Sequence, residues 1–309
     1  MPEDLIETVA CPNCDSSRFD VVYPASYPKD LTREKVLEVY SASSSHQLFD
    51  AVVQCSECTL AYLNPRFRQD LILESYASAV DPVFVKQNEL RVRTFRRSLE
   101  FLGRRGILRL APETRILDVG CAGGAFPKAA KDAGLSVVGV EPSRWLSEYG
   151  RKTYGVDVRT GFLSDHAFET GSFDAVSLWD VIEHLPDAGA VLDEIRRILK
   201  SKGTLIVNYP DYDSFARKLL GRRWPMFLSV HLTYFTPATL RALLEKHGFE
   251  VREVHPFWQT LELGYSLQRA ADYFRVFGWL ARGVRALGLG SVPLRYNIGQ
   301  SLLIATRAD

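Results

Sequence analysis

The fold of this chain is indicated by the run Ile116-Leu117-Asp118-Val119-Gly120-Cys121-Ala122-Gly123-Gly124. A short apolar segment ends at Asp118 and passes directly into a glycine-rich turn, which is typical of a buried strand that leads into a helix. Such a turn lets backbone amides approach a ligand at the N-terminus of the helix. A dinucleotide-binding turn would read G-x-G-x-x-G, whereas this one has Ala122 and Ala125 at the second and third positions. The turn therefore predicts a nucleotide-like cofactor other than NAD.

Apolar segments alternate with helical patterns from Thr114 onward. We predict strands at residues 115–119, 136–140, 156–160, 173–178 and 204–209. Repeated βα units imply a parallel sheet, so the predicted fold class is α/β. The second strand ends at Glu141, where a carboxylate can accept two hydrogen bonds from a ribose diol.

Two CxxC pairs precede this region and are formed by Cys11, Cys14, Cys55 and Cys58. Each pair is a tight turn that brings two thiols together. Four thiolates complete a tetrahedral zinc site with no open position, so we predict a structural zinc ribbon. The alternatives are a redox CxxC motif or two incidental pairs, and His46 could replace one ligand.

The composition excludes several classes of partner and location. The chain has 309 residues, of which 46% are hydrophobic, and 38 Lys and Arg residues balance 37 acidic ones. The net charge of +1 generates no overall field that would attract nucleic acid or anionic lipid. The first residues lack a signal-peptide pattern, and no apolar run reaches the roughly 20 residues that span a bilayer. We expect a cytoplasmic protein, in whose reducing environment the cysteines favour metal binding over disulfides.

The chain divides into three predicted parts. We place a zinc-binding module at residues 1–68, a helical linker or lid at 69–110 and a cofactor-binding domain at 111–309. This domain carries predicted insertions at 211–235 and 256–299.

The two insertions have different patterns. The first contains a basic and aromatic cluster that either binds a phosphate and a ring or forms a solvated loop: Arg217, Lys218, Arg222, Arg223 and Trp224. In the second, apolar residues recur at spacings of three and four between arginines over residues 261–288, which predicts one or two amphipathic helices. These helices would form a lid, a dimer contact or a peripheral contact with the inner membrane surface.

The glycine turn, Val138-Gly139-Val140-Glu141-Pro142 and the run from Phe173 to Asp187 together resemble a class I S-adenosylmethionine-dependent methyltransferase. The resemblance covers residues 90 to 309 and implies a Rossmann-like seven-stranded sheet with S-adenosylmethionine as cofactor. It also implies that the glycine turn holds the methionine part, that Glu141 takes the ribose and that residues 161–163 lie near the adenine. Many members have glycine in place of Ala122, and we expect this alanine to adopt an unstrained φ below zero. The expected cofactor-binding residues are Asp118, Gly120, Cys121, Ala122, Gly124, Glu141, Pro142, Phe162, Leu163 and Trp179.

Methyl transfer requires in-line placement of the acceptor, and a base can assist it by removing the acceptor's proton. His231 precedes a helix that Thr236 is expected to cap, and we predict that it is this base. His184 is the alternative, and either residue could instead be structural. Asp180-x-x-Glu183-His184 also resembles the acid-x-x-Glu-His stretch of ubiquinone-type O-methyltransferases, some of which hold a divalent ion there.

The whole arrangement is similar to bacterial methyltransferases of glycan and specialised-metabolite pathways. The resemblance implies O-methylation of a hydroxyl on a sugar, a lipid-linked glycan or a natural product. Sugar C-methylation is an alternative, although those enzymes have a larger C-terminal domain. An RNA methyltransferase that contacts RNA through its zinc module is another, but residues 1–64 are not notably basic. The third alternative is a protein that binds the cofactor without catalysing a reaction. The sequence does not indicate the oligomeric state.

Overall fold

The computed structural model describes residues 5–27, 31–39 and 50–309. His46, the alternative zinc ligand, lies outside these residues. The amino-terminal part contains β1 (Ile6–Glu7), β2 (Phe19–Tyr23), α1 (Arg33–Val39), β3 (Val52–Cys55), β4 (Ala61–Leu63) and β5 (Arg66–Phe67). Three helices follow, namely α2 (Gln69–Ser78), α3 (Pro82–Val85) and α4 (Asn88–Arg104).

The remaining elements alternate as the sequence predicts and then add a segment before the last strand. The alternating part comprises β6 (Arg115–Val119), α5 (Ala125–Asp132), β7 (Ser136–Glu141), α6 (Arg144–Tyr154), β8 (Asp157–Thr160), β9 (Phe173–Trp179), α7 (Ala188–Ile198) and β10 (Leu199–Pro210). After it come α8 (Phe215–Leu220), β11 (Thr233–Tyr234), α9 (Pro237–Lys246), β12 (Phe249–Pro256), β13 (Gln259–Glu262), α10 (Leu263–Ala271), α11 (Arg275–Ala286), β14 (Pro293–Tyr296) and β15 (Gln300–Arg307).

Seven strands form the central sheet in the order β12-β15-β10-β9-β6-β7-β8. The pairs around β6 and β9 are parallel, whereas β15 runs antiparallel to both β10 and β12. This arrangement confirms the predicted seven-stranded α/β sheet. The strand predicted at 204–209 begins earlier, at Leu199. Leu199 pairs with Phe173 of β9, and pairing resumes at Thr204 after an irregularity in register. The polar residues of this irregularity interrupt the apolar pattern, so the sequence did not indicate the earlier start.

Alternating side chains of the strands supply two apolar layers. Ile116 of β6 and Ile206 of β10 pack on one face with residues of α4 and α5. Leu117 and Leu205, one position along, pack on the opposite face with residues of α7 and α9. Because strand side chains alternate between faces, both layers of the core follow from the pattern of β6 and β10.

The amino-terminal part and the first insertion share a four-stranded sheet, with the order β11-β4-β3-β2. Thr233 of β11 pairs with Tyr62 of β4, and Leu63 N donates to Leu232 O at 2.9 Å. The insertion is therefore attached to the cysteine-bearing strands by backbone hydrogen bonds.

Trp224 corrects one expectation about the first insertion. Its side chain is 0% exposed, packs edge-on against Phe227 and donates from Nε1 to Ile298 O at 2.7 Å. The indole is part of the core, so it cannot stack on a ligand. Arg217 and Arg222 of the same cluster lie over the rings of Tyr212 and Tyr23.

The second insertion forms an antiparallel pair, β13 with β14, around α10 and α11. The sequence predicts one or two amphipathic helices here, and the structure has two. The apolar residues of α10 face the molecule, whereas α11 exposes Trp279 to solvent over 71% of its surface. Within the described ranges, every helix falls short of the length and apolar character needed to cross a membrane.

Candidate active site

The four cysteines form one cluster at the edge of the amino-terminal sheet. The Sγ atoms of Cys11 and Cys58 lie 3.4 Å apart, those of Cys14 and Cys55 lie 3.5 Å apart, and all four lie within 4.8 Å of one another. Zinc–sulfur bonds of about 2.3 Å place two thiolates of a tetrahedral site about 3.8 Å apart. The donor set and its spacing therefore fit a closed structural zinc site. Asn13, inside the first CxxC turn, attaches the cluster to α9 by donating to Thr239 O at 2.8 Å.

A cavity of about 830 Å³ opens at the carboxyl ends of β6, β7 and β9, where open α/β sheets bind ligands. Nine of the ten expected cofactor-binding residues line it, namely Asp118, Gly120, Cys121, Ala122, Glu141, Pro142, Phe162, Leu163 and Trp179. Gly124 lies behind the turn instead. It precedes α5 with a φ of 78°, and a Cβ added to it would lie 3.2 Å from the Cα of Gly150 in α6. Its role is close packing of two helices.

The glycine turn contains one strained residue. Ala122 has a φ of 46°, so the expectation of a negative φ is wrong. The turn places residues 120, 122 and 124 in the left-handed region, which costs a non-glycine residue about 1–2 kcal/mol. This conformation directs the Ala122 N–H to the Glu141 Oε2 atom at 2.8 Å.

Glu141 lies at the end of β7 with both carboxylate oxygens in use. Oε2 accepts from Ala122 N, and Oε1 accepts from Ser143 N at 2.8 Å. Each oxygen retains a second lone pair for a ligand hydroxyl. Burial raises the pKa of this carboxyl to about 7. Burial also raises the pKa of Asp118 well above its usual range, and its Oδ1 atom accepts from the Ser177 hydroxyl at 2.7 Å.

Arg91 lines the same cavity, although the sequence did not indicate it. Its guanidinium lies 3.7 Å from the centre of the Phe84 ring, and Nη1 donates to Phe84 O at 2.6 Å. Among the described residues, no carboxylate lies within ion-pair distance of it. Burial lowers the pKa of this group. Arg91 shares one face of α4 with Asn88, Thr94 and Phe95, which also line the cavity. A cation on the inward face of this helix was the signal that could have identified it.

Glu183, His184 and His231 meet in the wall of this cavity. One carboxylate oxygen and one ring nitrogen of each histidine lie within 4.8 Å of one another. The His184 Nε2 and Glu183 Oε1 atoms are 4.0 Å apart, and the two imidazole rings meet edge to face with centroids 4.7 Å apart. Glu183 as a whole residue is 1% exposed. Neither of its carboxylate oxygens has a hydrogen-bond partner within the described ranges.

Backbone carbonyls set the orientation of both imidazoles. His184 Nδ1 lies 2.7 Å from Val230 O, and His231 Nδ1 lies 2.7 Å from Met226 O. Because a carbonyl oxygen can only accept, each Nδ1 carries the proton and each Nε2 retains its lone pair. Burial lowers the pKa of His184 to about 4 and the pKa of His231 well below its usual range, so both rings are neutral near pH 7.

Asp180 lines the cavity but is bonded elsewhere. Its carboxylate accepts from Gln300 Nε2 at 2.6 Å and from Gln259 Nε2 at 3.2 Å. These glutamines belong to β15 and β13, and burial raises the pKa of Asp180 to about 6. His231, from the first insertion, occupies the place beside Glu183 and His184 that the sequence motif would assign to this acid.

The amino-terminal part contacts both histidine-bearing loops. The Tyr76 hydroxyl of α2 lies 2.8 Å from His184 Nδ1. Strand β4 pairs with β11, which begins two residues after His231. The two histidines therefore depend on elements that lie far from them in the sequence.

Comparisons with known proteins relate this chain to methyltransferases. A family model described as a methyltransferase domain matches residues 87–254. The ubiquinone biosynthesis O-methyltransferase of Xanthomonas oryzae pv. oryzae (strain PXO99A) is 29% identical over 153 residues, with 45% of this chain and 64% of that protein covered. The protein of the same name from Azorhizobium caulinodans is 31% identical over 152 residues, with 45% and 60% covered. The chain thus spans less than two thirds of the length of these relatives.

One solved structure resembles the fold over most of its length. A chain from the complex between the Haloferax volcanii Trm112 methyltransferase activator and a methyltransferase superposes with a TM-score of 0.54 at 18% identity. The match covers 77% of this chain and 98% of that one, and it shows a shared fold.

Proposed function

The chain belongs to the family of methyltransferase domains, whose methyl donor is S-adenosylmethionine, and we propose that it O-methylates a hydroxyl of a sugar, lipid-linked glycan or natural product. One observation carries this proposal. A single cavity contains the glycine turn and Glu141 on one side and the Glu183, His184 and His231 cluster on the other. A methyl donor and an acceptor hydroxyl can therefore be held in the same enclosed space.

The cofactor would lie along the carboxyl ends of β6 and β7. Glu141 would accept hydrogen bonds from the ribose hydroxyls through its remaining lone pairs, and Phe162 and Leu163 would pack against the adenine. Arg91 has donors to spare and would pair with the carboxylate of the methionine part. The apolar wall and these polar groups fit S-adenosylmethionine, which has an adenine ring system, a ribose diol and a methionine carboxylate.

The reaction would be a direct displacement. The acceptor oxygen attacks the methyl carbon, the carbon–sulfur bond breaks with its electron pair going to sulfur, and the hydroxyl proton is lost. The sulfonium is already a good leaving group, so the protein contributes in-line placement and help with the proton. His231 and His184 offer Nε2 lone pairs at the cavity wall for this purpose. Asp180 would act by holding Gln259 and Gln300 in place at the acceptor side.

The acceptor side of the cavity favours an apolar or lipid-linked substrate. Residues of α10 and the following segments provide its aromatic and aliphatic wall, namely Tyr265, Leu267, Tyr273, Phe277, Leu294 and Tyr296. Large apolar walls recognise apolar ligand surface. The curated relatives are named for O-methylation, which supports oxygen rather than carbon as the methylated atom.

We further propose that α11 rests on an anionic membrane surface. It exposes Val276, Trp279 and Leu280, and no acidic residue occurs between residues 273 and 308. An exposed aromatic and aliphatic helix with arginines on its polar side is typical of interfacial helices. Because α10 lines the cavity and α11 follows it, a lipid-linked acceptor would reach the site from the bilayer.

The test is to incubate the purified protein with ¹³C-methyl-labelled cofactor and fractionated bacterial extract. We expect label in organic-soluble or glycan fractions, with an NMR shift of a methyl group on oxygen. Label in RNA or on carbon would overturn the proposal. As a control, Glu141→Ala should lose binding of S-adenosylhomocysteine together with labelling, whereas the His231→Ala variant should lose labelling alone.

A further inference from the structure

Three electron-rich groups converge on one point of the cavity wall without a donor between them. The Glu183 carboxylate is buried and lacks hydrogen-bond partners among the described residues, and the imidazoles of His184 and His231 face it with their Nδ1 protons directed to carbonyls. At 4.0 Å, the His184 Nε2 to Glu183 Oε1 distance is too long for a hydrogen bond. An ionised carboxylate in this setting is costly until a proton or a bound cation neutralises it.

From this arrangement we infer that Glu183, His184 and His231 bind a second divalent metal ion of the zinc type, separate from the four-cysteine centre. Two imidazoles and one carboxylate form a ligand set that catalytic zinc sites use, with one position left open. Other transition metals, Fe²⁺ among them, also accept this set. Hard cations such as Mg²⁺ prefer oxygen ligands, so they fit less well.

The distances require only a small contraction. Zinc–nitrogen and zinc–oxygen bonds of about 2.0–2.2 Å place two ligands of a tetrahedral ion about 3.3 Å apart. The ligand atoms of the cluster lie at most 4.8 Å apart. Side-chain rotations that shift these atoms by roughly 1 Å would bring them to the distances of a tetrahedral site.

The surroundings of the two imidazoles are those of metal ligands. Histidine ligands almost always donate their second ring N–H to a carbonyl, carboxylate or water, which fixes the ring and makes the other nitrogen a better ligand. Val230 O and Met226 O do this for His184 and His231. The Tyr76 hydroxyl is a further neighbour of the His184 ring.

This site differs from the one that the sequence motif suggests. Asp180, the first acid of Asp180-x-x-Glu183-His184, is bonded to two glutamines. The third ligand is His231, which lies 47 residues after His184 and arrives with the first insertion. The ligand set is therefore a product of the tertiary structure.

The ion would bind the hydroxyl of the acceptor. All three ligands line the cavity, so the open position faces the substrate space. A bound divalent ion would lower the pKa of an acceptor hydroxyl that binds to it. It would then replace the histidine Nε2 lone pairs in promoting loss of the proton, which would pass to water. This catalytic role rests on the proposed O-methylation, whereas the binding of the ion does not.

The test measures bound zinc directly. Purified protein is loaded with zinc, dialysed against metal-free buffer and measured by mass spectrometry of the metal. We expect two zinc ions per chain in the wild type and one in His231→Ala and Glu183→Ala. His255→Ala is the matched control, because His255 is bonded to Glu253 on β12 and should leave two ions in place.

Cobalt(II) titration provides the second readout. Thiolate coordination gives intense charge-transfer bands, whereas a nitrogen and oxygen site gives only weaker visible bands, so the two sites are resolved in the native protein. We expect both signals, with the second weakened at least about 100-fold in affinity by His231→Ala. One cobalt site in the wild type, or two zinc ions in the folded His231→Ala variant, would overturn the inference. Two ions in a protein that methylates nothing would instead overturn the proposed function.

Discussion

The Arg66 guanidinium of the amino-terminal module donates from Nη1 to the Pro186 carbonyl oxygen at 3.2 Å, two residues beyond His184. Its Nε atom donates to Glu7 Oε1 at 2.9 Å, so the contact is held from both sides. Together with the β4–β11 pairing beside His231, it connects the cysteine-bearing module to both histidine loops. The module therefore contributes to the shape of the candidate active site as well as to its own fold.

Arg66→Met should uncouple this contact. We expect a loss of about 2 kcal/mol in the free energy of unfolding, because the Pro186 carbonyl and Glu7 both lose a buried, charged donor. The rate of methyl transfer should fall more than the affinity for S-adenosylhomocysteine, since the glycine turn is not touched. Urea denaturation, a methyl-transfer assay and calorimetric titration measure the stability, the rate and the affinity, respectively. Arg68→Met, on an exposed neighbour bonded to Asp70, should change stability by less than about 0.5 kcal/mol.

Loss of the cysteine-bound zinc should disturb the histidines at a distance. In Cys14→Ser the tetrahedral site is incomplete, so we expect β3 and β4 to loosen and β11 to lose its partner. Methyl transfer should then fall at least about tenfold, while S-adenosylhomocysteine still binds to the glycine turn. Hydrogen exchange of the amides of β4 and β11 reports the loosening. Unchanged exchange in a zinc-depleted variant would contradict this coupling.

Cofactor binding should depend on pH through Glu141. The pKa of this carboxyl is raised to about 7 by burial, and only the ionised form accepts hydrogen bonds from both ribose hydroxyls. Affinity for S-adenosylhomocysteine should therefore increase with pH and be about tenfold weaker at pH 6 than at pH 8. Calorimetric titrations at several pH values measure this, and Glu141→Gln should bind more weakly with a flat profile. A flat profile in the wild type would argue against the role of Glu141.

The glycine turn should respond oppositely to two small substitutions. Gly120→Ala places a Cβ 2.7 Å from Val181 Cγ2 at a φ of 68°, so we expect a loss of at least about 2 kcal/mol in the free energy of unfolding. Ala122→Gly relieves a φ of 46°, although the added freedom of the unfolded chain offsets part of the gain. Its stability should stay equal or rise by less than about 1 kcal/mol. Thermal and urea unfolding distinguish the two, and equal destabilisation would refute the strain at Ala122.

Membrane contact should follow the charge of α11. Arg282→Glu reverses one charge on the exposed helix, and one basic residue contributes about 1 kcal/mol to binding an anionic surface. Sedimentation with phosphatidylglycerol-containing vesicles should therefore weaken at least about fivefold. Arg144→Glu makes the same change at a side chain of α6 that is 85% exposed, and it should leave binding as it is. Equal binding of all three proteins, or none by the wild type, would remove membrane contact from the proposal.

Local patterns predicted much of this protein. Three patterns that each involve only a few neighbouring residues predicted the main features. The alternation of apolar residues predicted the sheet, the glycine turn after Asp118 predicted the cavity, and the CxxC spacing predicted the four-sulfur cluster. The cap of α9 is another example, because the Thr236 hydroxyl accepts from Thr239 N as expected. Such features need only the chain immediately around them.

Other features arise where distant segments meet. His231 comes beside His184 because β11 adds to β4, a pairing between residues about 170 positions apart that no local spacing encodes. The same long-range packing buries Trp224, turns Asp180 toward Gln259 and Gln300, and brings Arg91 to the cavity. Residue types and short spacings specify which groups are available along the chain, whereas sheet pairing and core packing specify which of them face one another.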